Sequence, residues 1–319
     1  MADPESAGRL WRMRRIRYEH AGGPETLFLE DVPVPEPGAG ELLVRTEAIG
    51  VTLPVVRKVR EGPLPIPLGG EIAGEVVRVG EDVSGYAPGD RVAGLCFGHG
   101  YAEYALLRTA MASAIPAGAS AKDAVALVRS GAVALGALEA ARPEKGESVL
   151  VTAAASGVGH LAVQIARLRG ASRVVAAVGD RAKARFVRSL GADAVVTYGQ
   201  EGWGEPVDIV LDAVGGDVLT PAVRALAPGG RLVAYGSGGG TIEAFDLLVG
   251  GRSAIGFQVG MVARNRPERY AGWTGELWRL FGEGALRPMV HGEFALADAA
   301  RAHATIEGRA NRGKVVLVP

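Results

Sequence analysis

A regular alternation of apolar strands and amphipathic helices begins near residue 147 and constrains the fold more than any other feature of the chain. Its strand segments are continuous apolar runs, which is typical of strands buried on both faces of a parallel sheet. Helices between such strands cover the two faces of the sheet. We therefore predict a doubly wound α/β domain, with strands ESVLVTAAA, RVVAAVG, DAVVTY, VDIVLDAVG and RLVAYGS and helices HLAVQIARLRG, RAKARFVRSLG and LTPAVRALAPGG.

Segments rich in β-forming residues lie on both sides of this domain. From Met13 to about Ala112 they are separated by Gly and Pro turns, and they read MRRIRYEH, LFLEDVPVP, ELLVRTEAIGV, AGEVVRVG and DRVAGLC. A helix follows, with Ser120 as its predicted N-cap. The C-terminal KVVLVP is predicted to be a strand that returns to the first domain. We accordingly assign residues 13–122 and 286–319 to a β-rich domain and residues 123–285 to the α/β domain.

The composition excludes several classes of function. The 319 residues contain 35 Lys and Arg against 35 Asp and Glu, so no basic surplus points to nucleic acid. A single cysteine excludes an intrachain disulfide framework and a multi-cysteine zinc site. The first residues lack the apolar stretch of a signal peptide, and no apolar run is long enough to cross a bilayer. We expect a cytoplasmic protein without a nucleic-acid or membrane partner.

The segment Ser148–Gly170 carries the strongest functional signal. A buried strand enters the small-residue turn AAASGVG and continues directly into a helix. Small side chains let the backbone approach a pyrophosphate, and the free N–H groups at the start of a helix point toward the anion. Tight packing alone also explains such a turn. Its place in a βαβ unit favours a dinucleotide site, formed by Ser156, Gly157, Val158 and Gly159.

The next turn indicates which dinucleotide binds. NAD-binding domains place an acidic residue near the end of the second strand, where this chain has Val178. The turn that follows begins at Gly179 and contains Arg181 and Lys183, which are able to pair with a 2′-phosphate. Asp180 leaves an alternative open, because it either caps the following helix or binds the ribose. We favour NADPH as the cofactor.

Several motifs follow one another in a characteristic order: PLGGEIAGEVVRVGEDVSGYAPGDRV, GYAEYALL, VTAAASGVG, LGADAVVTY, GRLVAYG and NRGKVVLVP. In this order the chain resembles the medium-chain dehydrogenase/reductase superfamily, and within it the zinc-free quinone oxidoreductases related to zeta-crystallin. The resemblance implies a GroES-like domain, a Rossmann domain and a homodimer paired near residues 240–262. It also implies further cofactor contacts, at Lys183, Tyr198, Gly236, Ser237, Phe257 and Asn311.

The residues argue against zinc. Zinc alcohol dehydrogenases of this superfamily carry a Gly-His-Glu motif, and the matching stretch here is Gly69-Gly70-Glu71. Tetrahedral zinc needs three or four ligands, whereas this chain has one cysteine and five scattered histidines. We predict that no metal is bound.

Two departures from the family pattern concern the substrate. Family members usually have an asparagine after the Ile-Gly-Val strand, where this chain has Thr52. They also tend to have a threonine in a Gly-Leu-Thr-Ala stretch, where this chain has Val133. By the resemblance, both positions would fall beside the nicotinamide. They fit a reductase with an unfamiliar substrate, and they also fit a member redirected to non-redox chemistry.

Three residues are candidates for catalysis: Thr52, His99 and Tyr101. Reduction of a carbonyl compound is helped by a hydrogen-bond donor at its oxygen, and a proton must also reach the product. Each candidate has a structural alternative. Thr52 is also a common residue of β-strands, and His99 fits a solvated turn. Tyr101 matches the tyrosine of the family's Gly-Tyr-Ala-Glu turn, where its role would be structural.

The leading hypothesis is a zinc-independent oxidoreductase that transfers a hydride from NADPH to a small-molecule quinone or α,β-unsaturated carbonyl compound. A stand-alone enoyl-thioester reductase of polyketide tailoring is one alternative, for which Arg57, Lys58 and Arg60 would provide a basic entry patch. A cyclase or binding protein that retains the nucleotide fold is an alternative of a different class.

Overall fold

The chain divides into two units, each built from segments that are not contiguous in sequence. The computed structural model describes residues 11–62 and 66–319. Of these residues, the first unit contains 11–62 and 66–125 together with Glu293–Glu307 and Val316–Pro319. The second contains Ala126–Gly292 and Gly308–Val315.

Strands predominate in the N-terminal part of the chain. In order, the elements are the strands and the helix β1 (Arg12–Arg17), β2 (Phe28–Pro33), β3 (Glu41–Val51), α1 (Leu53–Glu61), β4 (Gly70–Val79), β5 (Arg91–Cys96), β6 (Tyr104–Arg108) and β7 (Ala112–Ala114). Short 3₁₀ turns at Pro24–Thr26 and Thr109–Met111 connect them.

Helices and strands alternate in the remainder. In order, the elements are α2 (Ala121–Ala140), β8 (Val149–Val151), α3 (Gly159–Leu168), β9 (Val174–Val178), α4 (Ala184–Ser189), β10 (Ala194–Thr197), β11 (Val207–Asp212), α5 (Leu219–Arg224), β12 (Leu226–Ala234), α6 (Ala244–Gly250), β13 (Ser253–Gly256), α7 (Val259–Asn265), α8 (Pro267–Gly282), β14 (Val290–Ala295), α9 (Ala299–Glu307) and β15 (Lys314–Val318). Further 3₁₀ turns occupy Arg181–Lys183, Gly216–Val218 and Leu296–Asp298.

A seven-stranded sheet forms the framework of the first unit. Strands β14, β15, β3, β4, β5 and β7 lie side by side in that order, and β6 pairs with β3. The position of β15 beside β3 confirms that KVVLVP returns to the β-rich sheet. A separate antiparallel pair, β1 and β2, places Arg15 opposite Glu30. The core residues come mainly from the sheet; among the fully buried ones are Leu42, Leu43, Ile49, Ile72, Leu95 and Leu107.

A six-stranded parallel sheet forms the framework of the second unit. Its order is β10-β9-β8-β11-β12-β13, and the paired strands run parallel. Numbered along the chain within this unit, that order is 3-2-1-4-5-6, the order of a doubly wound Rossmann sheet. The predicted α/β fold class is confirmed. Apolar residues of the sheet and its helices fill one core, which includes Leu150, Val175, Val210, Val223, Leu226 and Leu232.

Two local predictions were wrong. The predicted helix LTPAVRALAPGG ends at Arg224, and its second half belongs to β12, where Leu226 pairs with Val207. Pro228 and the glycines after it do not support a helix, and a register shift in the ladder accommodates them. Thr52 does not lie in a strand, because it is the N-cap residue of α1. That helix was not predicted, although Pro54 in its first turn is typical of a helix start.

Ser120 caps α2 as predicted. Its hydroxyl accepts the backbone N–H of Asp123 at 3.1 Å and donates to the Asp123 carboxylate at 2.6 Å. No helix within residues 11–62 and 66–319 combines the length and the apolar character that spanning a membrane requires.

Candidate functional site

The strand order of the second unit reverses between β8 and β11, and ligands of such sheets bind beyond the carboxyl ends of the strands at this point. Asp212, the buried last residue of β11, joins the two loops there. Its carboxylate accepts the Thr152 hydroxyl at 2.8 Å and the N–H groups of Val214 and Gly215 at 3.2 and 2.9 Å. The Thr152 oxygen in turn accepts the N–H of Ala213 at 2.9 Å. The loops are therefore fixed before any ligand arrives.

The turn predicted to meet the pyrophosphate lies between β8 and α3. Ala153 has a left-handed backbone with φ of 45°, and a Cβ atom on Gly159 would lie only 2.1 Å from the Ala153 oxygen. The Ser156 hydroxyl accepts the Gly159 N–H at 3.0 Å and so begins the helix. Because of this close packing, the turn brings Ser156, Gly157, Val158 and Gly159 together at the N-terminus of α3, the position that an anion favours.

A buried serine beside this turn was not singled out from the sequence. Ser130 is fully buried on α2, and its hydroxyl has no hydrogen-bond partner within the described part of the chain. It lies 3.9 Å from the position that a Cβ atom on Gly157 would occupy. Leaving a buried hydroxyl unpaired costs about 1–3 kcal/mol. An oxygen of a bound dinucleotide would satisfy it, so this observation fits the expected cofactor.

The buried Lys314 also lies beside this turn. Its Cδ atom is 3.3 Å from the Cβ position of Gly157, so a side chain at Gly157 would require the Lys314 side chain to shift slightly. Only a motif of the form GKVVLV signalled this lysine in the sequence, and it did not indicate burial. Lys314 and Ser130 thus extend the predicted site with two buried polar side chains.

The turn after β9 favours the capping alternative for Asp180. Its carboxylate accepts the Ala182 N–H at 2.8 Å, so Asp180 is the N-cap of the 3₁₀ turn Arg181–Lys183. The Lys183 ammonium donates to the carbonyl oxygens of Arg309 and Asn311, at 2.5 and 3.1 Å. Gly179, Arg181 and Lys183 thus lie beside the segment before β15.

A basic cluster surrounds this turn, and we define it as Arg181, Lys183, His291, Arg309 and Arg312. The Arg312 backbone N–H donates to His291 Nδ1 at 3.2 Å, and its guanidinium donates to the Ala182 oxygen at 3.4 Å. Arg181 and Lys183 were predicted from the sequence, and the other three members were not. Those three lie more than one hundred residues further along the chain.

The pKa values in the basic cluster reflect its crowding. Burial lowers the pKa of Lys183, and Arg312 and Arg309 lower it further, while Asp180 acts in the opposite direction. Burial also lowers the pKa of His291, as do the charges of Lys183 and Arg312. These groups repel one another, so an anion among them would be stabilised.

Tyr198 supports the dinucleotide turn through a hydrogen bond to its backbone. Its hydroxyl accepts the Ala153 N–H at 2.7 Å and donates to the Ala177 oxygen at 3.4 Å. Burial raises the pKa of this phenol to about 12, so it stays protonated. The hydroxyl thus holds the left-handed Ala153, which is a positioning role next to the predicted contact.

The remaining predicted cofactor residues occupy three places in the second unit. Gly236 and Ser237 follow β12, and a Cβ atom on Gly236 would lie 2.0 Å from the Ala213 oxygen, so this loop packs directly on the loop after β11. The Phe257 ring packs edge-on against Trp273, with centroids 5.9 Å apart. Asn311 is buried, and its amide donates to the Gly313 oxygen at 2.9 Å.

The three catalytic candidates lie in the first unit. Thr52 is buried, and the Cβ position of Gly70 is 3.7 Å from its hydroxyl. The loop that carries His99 packs on the neighbouring Gly69, whose Cβ position lies 3.2 Å from the Gly100 nitrogen. Thr52 and the His99 loop therefore border the same glycine pair. His99 itself is exposed and has a left-handed backbone, with φ of 52°.

Tyr101 differs from the other two candidates because its side chain points into the core. It is 1% exposed, and its hydroxyl is 3.2 Å from His303 Nε2. Burial raises the pKa of Tyr101 and lowers that of His303 to about 4. The contact joins the loop to α9, which favours the structural alternative for this residue.

Metal ligands do not cluster in the described ranges 11–62 and 66–319, where no group of three or more His, Cys, Asp or Glu side chains is placed to hold an ion. The single cysteine, Cys96, is buried, and its thiol donates to the oxygens of Gly98 and Leu106 at 3.2 and 3.6 Å. Burial raises the pKa of this thiol to about 11, so it is not a thiolate at neutral pH.

Comparison with known proteins agrees with this architecture. Residues 38–125 match the alcohol dehydrogenase GroES-like domain, and residues 157–274 match the zinc-binding dehydrogenase family. The chain is 32% identical to a quinone oxidoreductase of Pseudomonas aeruginosa, over 96% of this chain and 99% of the relative. It is 31% identical to the mouse quinone oxidoreductase, over 96% and 98% of the two chains.

Solved structures give the same result. A mycobacterial protein complexed with NADPH has a TM-score of 0.89 at 32% identity, with 96% of this chain and 100% of that chain covered. The Escherichia coli quinone oxidoreductase complexed with NADPH has a TM-score of 0.89 at 29% identity, with the same coverage. This chain therefore belongs to the quinone oxidoreductase family of the medium-chain dehydrogenase/reductase superfamily, as its ordered motifs predicted.

Proposed function

We propose that this chain is an NADPH-dependent oxidoreductase that reduces a small quinone without a metal ion. The observation that carries the proposal is the basic cluster at the end of β9. The ribose 2′-phosphate distinguishes NADPH from NADH, and it is a dianion that such a cluster would stabilise. The relatives solved with NADPH support the same cofactor.

Separate groups of residues would bind the separate parts of NADPH. Lys183, Arg309 and Arg312 would hold the 2′-phosphate. Tyr198 would support the neighbouring turn between β8 and α3 through its contact with Ala153. Ser156–Gly159 would hold the pyrophosphate, next to the buried Ser130 and Lys314. Gly236, Ser237, Phe257 and Asn311 stay proposed contacts of the nicotinamide end, on the strength of the family pattern. When it is bound, NADPH supplies a hydride, and one proton must be added for a quinone to become a hydroquinone.

The proposal of zinc independence rests on the residues present. Gly70 stands where zinc members of the superfamily carry a histidine, and the Cys96 thiol is held protonated by burial. Zinc binds thiolates, so this thiol is a poor ligand. Polarisation of the substrate oxygen therefore falls to hydrogen-bond donors, for which Thr52 and His99 are the candidates beside Gly69 and Gly70.

One contact disfavours the thioester alternative. Arg60, a member of the predicted basic entry patch, donates from two nitrogens to the Glu307 carboxylate at 2.7 and 2.9 Å. This bidentate pair neutralises the charge that a phosphopantetheine phosphate would need. The proposed protein is a homodimer paired near residues 240–262.

The test measures the loss of reduced-nicotinamide absorbance with purified protein, first with NADPH and then with NADH. Each cofactor is combined with a benzoquinone, with an α,β-unsaturated ketone and with a crotonyl thioester. We expect the highest kcat/KM with NADPH and the benzoquinone, because the cluster selects the cofactor. Equal turnover with NADH would contradict the role of the cluster. NADPH binding without turnover of any acceptor would favour the non-redox alternative.

A further inference from the structure

The side chain of Arg15 reaches the candidate His99 from a distant part of the sequence. Strand β1 runs beside the loop that carries His99, because the Ile16 N–H donates to the Tyr101 oxygen at 2.8 Å and Arg15 bridges to Ala102. In this register the Arg15 guanidinium, through Nη1, lies 3.2 Å from His99 Nδ1. Nothing in the His99 segment itself indicates such a partner.

This contact determines which nitrogen of His99 carries the proton. A guanidinium has five N–H donors and no acceptor, so His99 Nδ1 must accept the hydrogen bond with its lone pair. An imidazole that accepts at Nδ1 is neutral and carries its proton on Nε2. His99 is therefore presented as a neutral ring with an Nε2–H donor.

Arg15 is itself held in place. Its Nε donates to the Glu30 carboxylate at 2.8 Å, and these two residues face each other in the β1–β2 ladder. Arg17 binds the other oxygen of Glu30 at 2.9 Å. Both Arg15 and Glu30 are mostly buried, with about a quarter of each side chain exposed, at 23% and 24%. The pair therefore has less freedom than an ordinary surface ion pair.

The charges around His99 favour its neutral form. Partial desolvation of the ring lowers the pKa of His99, the positive charge of Arg15 lowers it further, and Glu30 acts in the opposite direction. The backbone adds a second constraint, because His99 has a left-handed φ of 52° in a turn where glycine stands on both sides. A non-glycine residue in this conformation is uncommon and is often associated with a functional site.

We propose that Arg15 is a positioning residue that holds His99 as a neutral Nε2–H donor for the carbonyl oxygen of the substrate. The His99 loop packs on Gly69 and the Thr52 hydroxyl lies beside Gly70, so both candidates lie at the start of β4. This inference rests on the proposed function and deepens it, because it assigns the donor that replaces a metal ion.

The chemistry requires no transfer of the His99 proton. Negative charge develops on the acceptor oxygen as the hydride arrives, and a fixed N–H donor stabilises that charge. The imidazole keeps its Nε2 proton throughout, and the proton of the hydroquinone comes from water. The substrate class is thus a quinone or another conjugated carbonyl compound whose oxygen accepts one hydrogen bond at His99.

The experiment compares kcat for benzoquinone reduction at saturating NADPH in five proteins. These are the wild type, Arg15→Met, Arg15→Lys, His99→Ala and the double variant of Arg15→Met with His99→Ala. A sixth protein, the matched control, is Arg12→Met, because Arg12 lies on the same strand and pairs with Asp31 instead of Glu30 or His99. Thermal unfolding and the Kd for NADPH are measured for each, so that a loss of fold is recognised.

We expect His99→Ala to lower kcat about a hundredfold, the usual effect of removing one donor to a developing oxyanion. Arg15→Met should lower kcat about tenfold, because His99 remains but is less well oriented. Arg15→Lys should recover part of that loss, and Arg12→Met should be close to wild type. The double variant should have the same kcat as His99→Ala, because Arg15 acts only through His99 and its loss has no further effect once His99 is gone.

Nitrogen NMR of the imidazoles gives a readout that a merely structural role would not move. The chain has five histidines, and the His99→Ala spectrum assigns the signal of His99 by its loss. In the wild type we expect the Nε2–H tautomer and a pKa below the ordinary value. In Arg15→Met the pKa of His99 should rise, because the guanidinium is gone and Glu30 has lost its main partner.

Additive losses in the double variant, or an unchanged His99 tautomer and pKa in Arg15→Met, would overturn the inference. Failure of the proposed function gives a different pattern. In that case the wild type binds NADPH but reduces no acceptor, which removes the catalytic role of His99. The NMR measurement still decides whether Arg15 sets its tautomer.

Discussion

Lys183 shows how a single residue serves both the fold and the candidate site. Its ammonium donates to two backbone carbonyls of the segment before β15, and it is also the centre of the basic cluster. Burial and two neighbouring arginines lower its pKa. A lysine under these conditions is stabilised in its charged form by any anion that enters, so its position suits a phosphate better than it suits an empty surface.

The substitution Lys183→Met tests this role. A hydrogen bond to a charged group contributes about 1.5–3 kcal/mol, so we expect the Kd for NADPH to rise by roughly 10- to 100-fold. The Kd for NADH should change little, because NADH lacks the 2′-phosphate. Fluorescence titration with both cofactors measures the two constants.

Two further variants serve as controls for Lys183→Met. Arg312→Met removes charge from the cluster while leaving the carbonyl contacts of Lys183 in place, and we expect a smaller but still NADPH-specific weakening. Arg188→Met removes an exposed cation of α4 outside the cluster and should have no effect. An equal loss of affinity for NADH in Lys183→Met would show that the lysine acts on the loop and not on the phosphate.

Individual residues were predictable from the sequence where their role is local. Asp180 was recognised as a possible cap, and its carboxylate binds an N–H two residues later in the chain. The contact between Arg15 and His99 was not predictable, because 84 residues separate the two. The partner of Tyr101 and the burial of Ser130 likewise depend on packing between segments, for which neither motif nor spacing gives a signal.

Helix α3 is the element that connects the dinucleotide turn to the segment before β14. His160 Nδ1 is 3.0 Å from the Ser156 oxygen, and His160 Nε2 accepts the Met289 N–H at 2.9 Å. One turn later, Gln164 donates to the Arg287 oxygen and accepts the Arg287 N–H, both at 3.0 Å. Because a backbone N–H only donates, His160 must be neutral, with its proton on Nδ1.

This arrangement predicts a loss of stability in acid. Burial lowers the pKa of His160 to about 4 from an ordinary value of 6.5. Above pH 6.5 the ring is neutral in both the folded and the unfolded chain, and the stability is complete. Between pH 6.5 and 4, His160 binds a proton in the unfolded chain but not in the folded chain, so the free energy of unfolding falls as the pH is lowered. At pH 5 the loss from this residue is on the order of 2 kcal/mol.

Urea denaturation of the wild type and of His160→Gln at pH 7 and pH 5 measures this effect. Glutamine keeps one donor and one acceptor but does not titrate. We expect the free energy of unfolding to fall by about 2 kcal/mol less in His160→Gln than in the wild type between the two pH values. The buried His303 titrates in both proteins, so it cancels from the comparison. An equal fall in both proteins would show that His160 is not the titrating group.

The elements were predicted well where one physical signal dominates. Continuous apolar runs gave the strands β8, β9, β10 and β11, and the Ser120 cap gave the start of α2. Helix α1 was missed because it has only nine residues and follows directly on β3. The start of β12 was misplaced because Pro228 and two glycines interrupt its apolar pattern, and only its pairing with β11 shows that it is a strand.

At the scale of the whole molecule, the sequence predicted the parallel sheet and the return of the last strand to the β-rich sheet. The order of the strands was not predicted, and it is known only from their pairing in the folded sheet. The domain limits at 13–122, 286–319 and 123–285 remain a prediction. Only Arg181 and Lys183 of the basic cluster were predicted, because the cluster forms from segments that meet only when the chain is folded.

The open edge of the parallel sheet supports the proposal that two copies of the chain pair there. Strand β13 ends the sheet, and the neighbouring α6 exposes large apolar side chains. Phe245, Leu248 and Val249 are 70%, 75% and 70% exposed, which is unusual for three apolar residues within one short helix. An unpaired edge strand and an adjacent apolar surface are the features that a symmetric dimer covers.

Leu248→Lys tests this interface. In a two-fold symmetric dimer each residue of the interface occurs twice, so the substitution buries two positive charges in an apolar contact. We expect the wild type to have the mass of two chains in light scattering after size exclusion, and Leu248→Lys to shift to the mass of one. The matched control is Leu168→Lys, because Leu168 is 44% exposed on α3 and is not part of α6. A wild type that is monomeric at micromolar concentration, or an unchanged mass in Leu248→Lys, would contradict the proposed dimer.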